Sequence, residues 1–173
     1  VIRRNLQTLC TALDVTYDLA EDEARAQQAL RHAKALLGDT EIAIDYTATP
    51  APMSLARCLI EHGLRVSRIY ADSIAAGDLD DFRWLQEHAP DLSLYATVEV
   101  KLRVLPRRTE RPMLAIGQKA AYFTGTRHFM NIVEGGGMYG FDGICRLCAR
   151  IEEAFLTARD PRNYIQQKGL GCE

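Results

Sequence analysis

The sequence has no apolar run approaching the roughly 20 residues that a helix needs to cross a lipid bilayer. Its opening residues also lack the charged, apolar and small-residue pattern of a secretory signal peptide. Neither sign of charge is in excess, because 21 lysines and arginines stand against 23 aspartates and glutamates. A net charge of −2 offers no basic footprint for nucleic acid or for an anionic membrane surface, so we expect neither as a partner.

Cysteine is scarce and odd in number, with five residues spread at positions 10, 58, 145, 148 and 172. Such a set does not resemble the disulfide framework of a secreted protein, so we expect a cytoplasmic location. A chain of 173 residues, 47% of them hydrophobic, is long enough for one domain with a substantial core. The first residue is Val1 rather than Met, and residues 1–15 have the composition of a helix interior. We therefore expect residues 1–21 to be an N-terminal helical segment of a longer parent chain.

Helix-forming and strand-forming segments alternate along the whole chain. Helices are predicted over residues 22–37, 53–63, 78–90, 118–125 and 141–155, and strands over residues 41–46, 64–71, 91–100, 113–117 and 128–133. Residues 101–112, basic and marked by prolines, are typical of a short helix or an exposed connection. Such alternation predicts a parallel sheet with helices on both faces. The sequence therefore predicts an α/β fold, a Rossmann-like three-layer domain with a mostly parallel sheet of about five strands over residues 22–158, and a tail over residues 159–173.

Ligands of this architecture bind beyond the carboxyl ends of the strands. That rule selects three loops as candidate sites: Thr47–Pro52, Gly117–Lys119 and Glu134–Gly140. In the first two loops we predict Thr47, Thr49, Gln118 and Lys119 as cofactor-binding side chains, and the second loop could reach an anionic ligand.

The third loop contains the run G-G-G-M-Y-G over residues 135–140, which satisfies the dinucleotide-binding pattern G-x-G-x-x-G. The run lies between a predicted strand and a predicted helix, as that pattern requires. It comes late, however, whereas a dinucleotide site belongs to the first strand–helix–strand unit. Three interpretations stay open: a phosphate-binding loop, a tight turn with left-handed backbone angles, or bare backbone at Gly135, Gly136 and Gly137 that a bulky prosthetic group can approach.

The segment NIVEGGGMYGFDGICRLCARIEEAF resembles a segment of the nitrogenase component 1 family, in which a strand leads into a glycine-containing loop, an aromatic residue, an Asp-Gly pair and a helix. The matching residues in this chain are Gly135, Gly140, Phe141, Asp142 and Gly143. Upstream, IAIDYTATPAPMSLARCLIEHGLRV is similar to the strand, loop and helix whose loop borders the metallocluster in that family. IGQKAAYFTGTRHFMNIV is similar to its G-x-K-x-x strand and short helix, and the resemblance covers most of residues 24–157.

This resemblance implies one Rossmann-like domain of a subunit built from three such domains. The family transfers electrons from an ATP-hydrolysing iron–sulfur reductase to a substrate that is hard to reduce. Nitrogenase uses a large iron–sulfur cluster, whereas relatives reduce a tetrapyrrole or act as scaffolds for cluster assembly. The implied partners are the reductase and a homologous subunit. The implied cofactor is an iron–sulfur cluster in the full-length protein, with none bound by this domain alone, which we expect to be inactive in isolation.

The chain departs from the nitrogenase pattern at two places. Tyr139 stands where nitrogenase has a histidine that ligates the cluster, and residues 47–52 lack the arginine that lies near it. We therefore expect a metallocluster or tetrapyrrole-like pocket without metal ligands from this domain, and an activity other than nitrogen fixation. Tyr139 and Glu134 are the candidate catalytic residues, with a structural role the alternative for Tyr139. Gly135, Gly136, Gly137 and Tyr139 are also predicted to contact the cofactor. A cluster-assembly scaffold and a nucleotide-binding module remain alternative functions.

Other polar and sulfur-bearing residues are assigned structural roles. Cys148 continues the apolar stripe of the last predicted helix and Cys145 flanks it, so we predict core positions for both. Asp78 and Asp142 are predicted to cap helix N-termini, with substrate contact as the alternative for Asp142. Three arginines of the segment RRTER are predicted to form a solvated surface or a docking patch for a partner subunit: Arg107, Arg108 and Arg111.

Overall fold

The computed structural model describes residues 2–105, 109 and 111–162. The α-helices are α1 (Ile2–Ala12), α2 (Ala20–Leu37), α3 (Pro52–Glu61), α4 (Leu79–His88), α5 (Gln118–Thr124) and α6 (Gly140–Leu156). The strands are β1 (Glu41–Asp45), β2 (Arg65–Ala71), β3 (Ser93–Ala96), β4 (Met113–Ile116) and β5 (Phe129–Met130). Short 3-10 turns span Ala76–Asp78, Val100–Arg103 and Glu134–Gly137. None of the described helices is long and apolar enough to cross a membrane.

All five strands form one parallel sheet in the order β3-β2-β1-β4-β5. This finding confirms the predicted α/β fold with a Rossmann-like sheet. The chain winds outward from β1 to β3 and then crosses back to β4 on the other side of β1. The carboxyl ends of β1 and β4 are therefore neighbours from which the connections diverge, which is where such folds hold their ligands.

The two layers of helices cover the sheet unequally. Alternate residues of β1 point to opposite faces, with Ile42 and Ile44 packed against α2, α3 and α6 and Ala43 in the cluster on the other side. That second face is covered by α5 and by Leu102 of a 3-10 turn. Tyr70 is buried there, stacked on Tyr95 and Phe123 at centroid distances of 5.2 and 5.1 Å.

Both edge strands are shorter than predicted. The predicted strand 91–100 is confined to Ser93–Ala96, and the predicted strand 128–133 is confined to Phe129–Met130. An edge strand has a partner on one side only. Its apolar run in the sequence can therefore continue past the last residue that pairs with that partner. Val98 and Val100, which lie beyond β3, are 72% and 69% exposed.

Asp78 occupies the N-cap position of α4, as predicted, whereas Asp142 lies within α6, and neither side chain makes a capping hydrogen bond. The Asp78 side chain makes no capping hydrogen bond at α4, where its residue ends a preceding 3-10 turn. The Asp142 side chain lies in the first turn of α6 and pairs with Arg146 one turn later, at 2.6 Å. Each carboxylate still lies near a positive helix end, so the interaction is with the helix dipole rather than with a free N–H group.

The predictions for the cysteines of α6 and for the arginines of the RRTER segment can be compared with the structure only in part. Cys148 is buried in the main core and Cys145 is half-buried beside it, as the helical stripe predicted. Arg111 lies on the surface, with its guanidinium 3.9 Å from Glu41 at the start of β1. Arg107, Arg108, Cys172 and residues 163–173 of the predicted tail lie outside the described residues.

Candidate functional site

Asp45, the last residue of β1, anchors the carboxyl edge of the sheet. Its side chain is fully buried at 0% exposure. Oδ1 accepts hydrogen bonds from Thr47 N–H at 2.8 Å, the Thr47 hydroxyl at 2.5 Å and Ala48 N–H at 3.1 Å. Oδ2 accepts one from Ala120 N–H at 2.8 Å. One carboxylate therefore ties the loop after β1 to the first turn of α5.

Gly117, which follows β4, makes room for that carboxylate. Its φ is +108°, and a Cβ atom built there would lie 2.2 Å from Asp45 Oδ2. A side chain at this position would collide with a buried group that has no space to move. The close approach of β1 and β4 at their carboxyl ends thus depends on the Asp45–Gly117 pair, which was not among the predicted site residues. The signal was present in the sequence, as an acidic residue ending an apolar strand.

The glycine loop lies directly on the loop after β1. Glu134 N–H donates to Thr47 O at 2.8 Å, and Gly135 N–H donates to Ala48 O at 2.7 Å. Glu134, Gly135, Gly136 and Gly137 all have positive φ, from 50° to 76°. Such a succession of left-handed residues is readily adopted only where most of them are glycine.

The glycines differ in what surrounds them. A Cβ at Gly136 would lie 3.1 Å from Ile132, whereas Gly135 and Gly137 have no atom within 4 Å of that position. Gly136 and Gly137 are exposed, and Gly135 is half-buried. The loop is therefore an exposed stretch of bare backbone at the sheet edge, not a bend covered by other segments of the described chain.

The candidate side chains are brought to one edge but have different environments. Tyr139 is 76% exposed, and Glu134 is exposed with a φ of +50°. The Thr47 hydroxyl is engaged by Asp45, and the Thr49 hydroxyl accepts a hydrogen bond from Ala51 N–H at 3.3 Å. The two threonines therefore stabilise the loop after β1, whereas Tyr139 and Glu134 face solvent.

Two polar pairs complete this edge. Lys119 Nζ donates a hydrogen bond to the Tyr46 hydroxyl and lies 4.1 Å from the centroid of the Tyr46 ring. Gln118 Nε2 donates to Asn131 Oδ1, which joins the first residue of α5 to the segment after β5. We define the carboxyl rim as residues 46–49, 118–119 and 134–139.

The space available at the carboxyl rim is small. A cavity of about 90 Å³ lies beneath the glycine loop, lined mainly by apolar side chains such as Ile116, Met130 and Leu147. Sites for ligands of drug size occupy about 300–1,000 Å³. A large group therefore does not fit inside this cavity. A wider groove of about 550 Å³ runs between α2 and α3 and reaches the rim at Thr49.

The donors of the described chain do not fit direct ligation of a metallocluster. Among the described residues, no group of three or more histidine, cysteine, aspartate or glutamate side chains could hold a metal ion. Burial raises the pKa of the Cys148 thiol to about 12, and burial also raises the pKa of Cys58. Because a metal ligand must be the thiolate, these two cysteines are poorly suited to bind iron.

Comparison with solved structures defines the class of fold. The chain aligns with a structure of nitrogenase Cp1 at pH 6.5, with a TM-score of 0.62 and 15% sequence identity. The alignment covers 90% of this chain and 37% of the nitrogenase chain. No family model matches the sequence. No curated protein matches it either.

The chain is thus an α/β domain with a nitrogenase-like fold. The structural match agrees with the resemblance read from the glycine loop and its flanking segments. It concerns the fold and spans just over a third of the nitrogenase chain.

Proposed function

We propose that this chain is one domain of a nitrogenase-like oxidoreductase whose carboxyl rim forms part of the wall of a cofactor or substrate pocket. The observation that carries this proposal is the glycine loop, where bare backbone is exposed at the sheet edge and makes two hydrogen bonds to the carbonyl oxygens of Thr47 and Ala48. Side chains there would obstruct a large group, and their absence at three consecutive positions permits close approach.

The described residues supply contacts rather than metal ligands. The pocket therefore suits a tetrapyrrole-like group held by packing and hydrogen bonds, or one side of a cluster that other parts of the protein ligate. With Tyr139 at the place of the histidine ligand, we propose an activity other than nitrogen fixation. An ATP-dependent iron–sulfur reductase and a homologous subunit are the partners proposed with it. Glu134 and the exposed phenol of Tyr139 are the groups positioned to exchange protons with a bound substrate.

A nucleotide-binding role is less well supported by the loop geometry. In a phosphate-binding loop the backbone N–H groups point at the ligand. Here the N–H groups of Glu134 and Gly135 already donate to carbonyl oxygens of Thr47 and Ala48. Two of the N–H donors that a phosphate would need are therefore already bonded to the loop after β1.

The proposal is tested by adding a side chain to the glycine loop without straining the backbone. Gly137 has a φ of +75° and open space around its Cβ position. Asparagine tolerates such angles better than other residues, so Gly137→Asn should fold while adding bulk to the pocket wall. Gly63→Asn is the matched control, because Gly63 has a φ of +78°, meets only the Lys34 side chain at 3.8 Å and lies at the opposite edge of the sheet.

The measurement is the iron content and the visible absorbance of the full-length protein purified without oxygen. We expect Gly137→Asn to lose most of the bound group and Gly63→Asn to retain it. Equal retention by both variants, or a wild-type protein that carries and takes up no such group, would contradict the proposal. A protein that retains the group but does not turn over with its reductase would instead support the scaffold alternative.

A further inference from the structure

We propose that the free edge of β3 binds an extended, acidic segment of a partner protein, which adds a strand to the sheet and inserts one large apolar side chain into a cavity beside it. This surface is separate from the pocket proposed above, because β2 lies between β3 and the central strand β1. Three features of the described residues carry the inference: free backbone groups, an apolar cavity and exposed cations beyond the end of the strand.

In the part of the chain that the structure describes, β3 pairs with β2 alone. Thr97 N–H, directly after β3, donates to Ala71 O of β2 at 3.0 Å. Because the backbone groups of successive strand residues point to opposite sides, the N–H and C=O groups of Leu94 and the N–H group of Ala96 point away from β2. The Ala96 carbonyl accepts a hydrogen bond from Glu99 N–H at 3.0 Å. Three backbone groups of this edge are thus placed to pair with an added strand.

An apolar cavity opens beside the same edge. It has a volume of about 280 Å³ and is lined by Leu94 of β3, by Phe82 and Leu85 of α4 and by other apolar residues, with Gln86 as the one polar residue of the lining. Leu94 is 38% exposed, so the cavity reaches the surface. An apolar cavity of about 150 Å³ can hold benzene, so this one has room for a phenylalanine side chain. Such pockets beside a sheet edge give specificity to strand addition.

The residues beyond β3 favour an acidic partner. Residues 98–111 contain five lysines and arginines against two glutamates, in a chain whose net charge is −2. Lys101 and Arg103 are exposed, and within the described ranges no carboxylate oxygen lies within 4.0 Å of either cationic group. Val100 and Val104, beside them, are 69% and 81% exposed. The surface therefore matches a segment that carries both apolar and acidic side chains.

The same charge decides against other occupants. Two copies of this chain paired edge to edge would bring two basic segments together, and like charges across an interface repel. Nucleic acid and anionic membranes would satisfy the cations, but neither needs a free strand edge or a cavity for one side chain. An extended protein segment uses all three features.

The test is titration of fluorescein-labelled peptides into the full-length protein, followed by fluorescence anisotropy. The parent peptide has a central phenylalanine between two valines, with threonine and glutamates at both ends. Three control peptides change one feature each: lysines replace the glutamates, alanine replaces the phenylalanine, or prolines replace the valines. We expect each control to bind about tenfold or more weakly than the parent peptide, because it loses charge attraction, the anchor in the cavity or backbone pairing.

A first variant assigns the anchor to the cavity. Gln86→Phe puts a ring into the cavity from an exposed position of α4 and should weaken binding of the parent peptide about tenfold, while the alanine peptide binds as it does to wild type. Gln28→Phe is the matched control, because it makes the same substitution at an exposed position of α2 that does not line the cavity. Thermal melts verify that both variants are folded.

A second variant assigns the charge preference. Lys101→Gln combined with Arg103→Gln should weaken binding of the parent peptide about threefold or more and reduce the weakening that added salt causes. Arg4→Gln combined with Arg31→Gln removes two exposed cations from α1 and α2 and should leave binding unchanged.

Several outcomes would overturn the inference: no binding of the parent peptide, equal binding of the proline peptide, or wild-type behaviour of Gln86→Phe. Self-association of the full-length protein that Gln86→Phe abolishes would replace the acidic partner by a second copy. Tighter binding of phosphatidylserine vesicles or of a single-stranded oligonucleotide than of the parent peptide would replace it by a membrane or by nucleic acid. All these results leave the proposed pocket untouched, since the iron content and absorbance that test it do not depend on β3.

Discussion

At the scale of single residues, Asp45 has the largest effect on the candidate site. A carboxylate with no exposed surface is stable only when its hydrogen-bonding capacity is met, and here four donors meet it. Through Thr47 and Ala48 the same group also supports the glycine loop, since both residues accept hydrogen bonds from that loop. Asp45 is thus a positioning residue for three loops at once.

Replacing Asp45 with asparagine should lower the free energy of unfolding by about 2–4 kcal/mol, because an amide puts an N–H group opposite backbone donors and removes the charge that they stabilise. Chemical denaturation measures the loss. Asp142→Asn removes the same charge from an exposed pair with Arg146 and should cost no more than about 0.5 kcal/mol. Similar losses in the two variants would mean that Asp45 does not organise this edge of the sheet.

At the scale of secondary-structure elements, α6 joins the glycine loop to the core. Its first turn contains Gly143, where a Cβ would lie 2.4 Å from the Met138 backbone, so the loop can fold tightly onto the helix. Further along, Cys148 and Ile151 pack in the main core beside α2. Burial of that stripe holds the loop in place, because the exposed loop itself buries few side chains.

The rate at which Cys148 is alkylated measures how well α6 packs on the core. With its pKa raised from 9.0 to about 12 by burial, the thiol forms thiolate about 1,000-fold less often than an ordinary cysteine near neutral pH. In the native protein we expect iodoacetamide at pH 8 to modify Cys148 at least about 100-fold more slowly than half-buried Cys145. Equal rates are expected in denaturant. Equal rates in the native protein would mean that α6 does not seal the core.

The same pKa shift has a defined sign for stability. Below pH 9 the Cys148 thiol is protonated in both the folded and the unfolded chain, and its burial is not penalised. Between pH 9 and 12 the unfolded chain loses the proton first, so the free energy of unfolding falls as the pH rises. Cys148→Ala should be measured in parallel, and its stability should fall less over that window.

At the scale of the whole molecule, helices cover the two faces of the sheet unequally. The N-terminal helix α1 is weakly attached to the rest of the described chain. No residue of α1 is buried, and its contacts with the rest of the chain are made chiefly by half-buried Ile2 and Leu6 and by the Arg3–Glu23 pair. The division into residues 1–21, 22–158 and 159–173 remains a prediction. The weak attachment of α1 is consistent with the predicted boundary between residues 21 and 22.

Deletion of residues 1–17 should leave a domain that unfolds in a single transition and loses less than about 2 kcal/mol, because none of the described residues 2–17 is buried. Thermal and chemical unfolding, followed by circular dichroism, measure the effect. Leu30→Ala in α2 is the comparison, since this residue is 3% exposed and its truncation should cost about 2–5 kcal/mol. A larger loss on deletion than on truncation would mean that α1 belongs to the domain core.

The central strands were predictable from sequence because burial on both faces produces short, wholly apolar runs. β1 and β4 were located to within a residue for that reason. The edge strands β3 and β5 were predicted too long, since hydrophobicity does not reveal where a partner strand stops. Helix propensity likewise located α2 and α6 but could not show that the Asp78 and Asp142 side chains make no capping hydrogen bond.

The candidate site was likewise predictable from sequence only in part. Its three loops followed from sequence alone, because parallel strands put their carboxyl ends on one edge and three consecutive glycines permit left-handed backbone. The pairing of Asp45 with Gly117 and of Tyr46 with Lys119 was decided only by the tertiary structure. Those contacts join residues more than 70 positions apart, and they exist because the chain crosses back to lay β4 beside β1. Local sequence encodes the strands and turns, whereas strand order results from the packing of the whole chain.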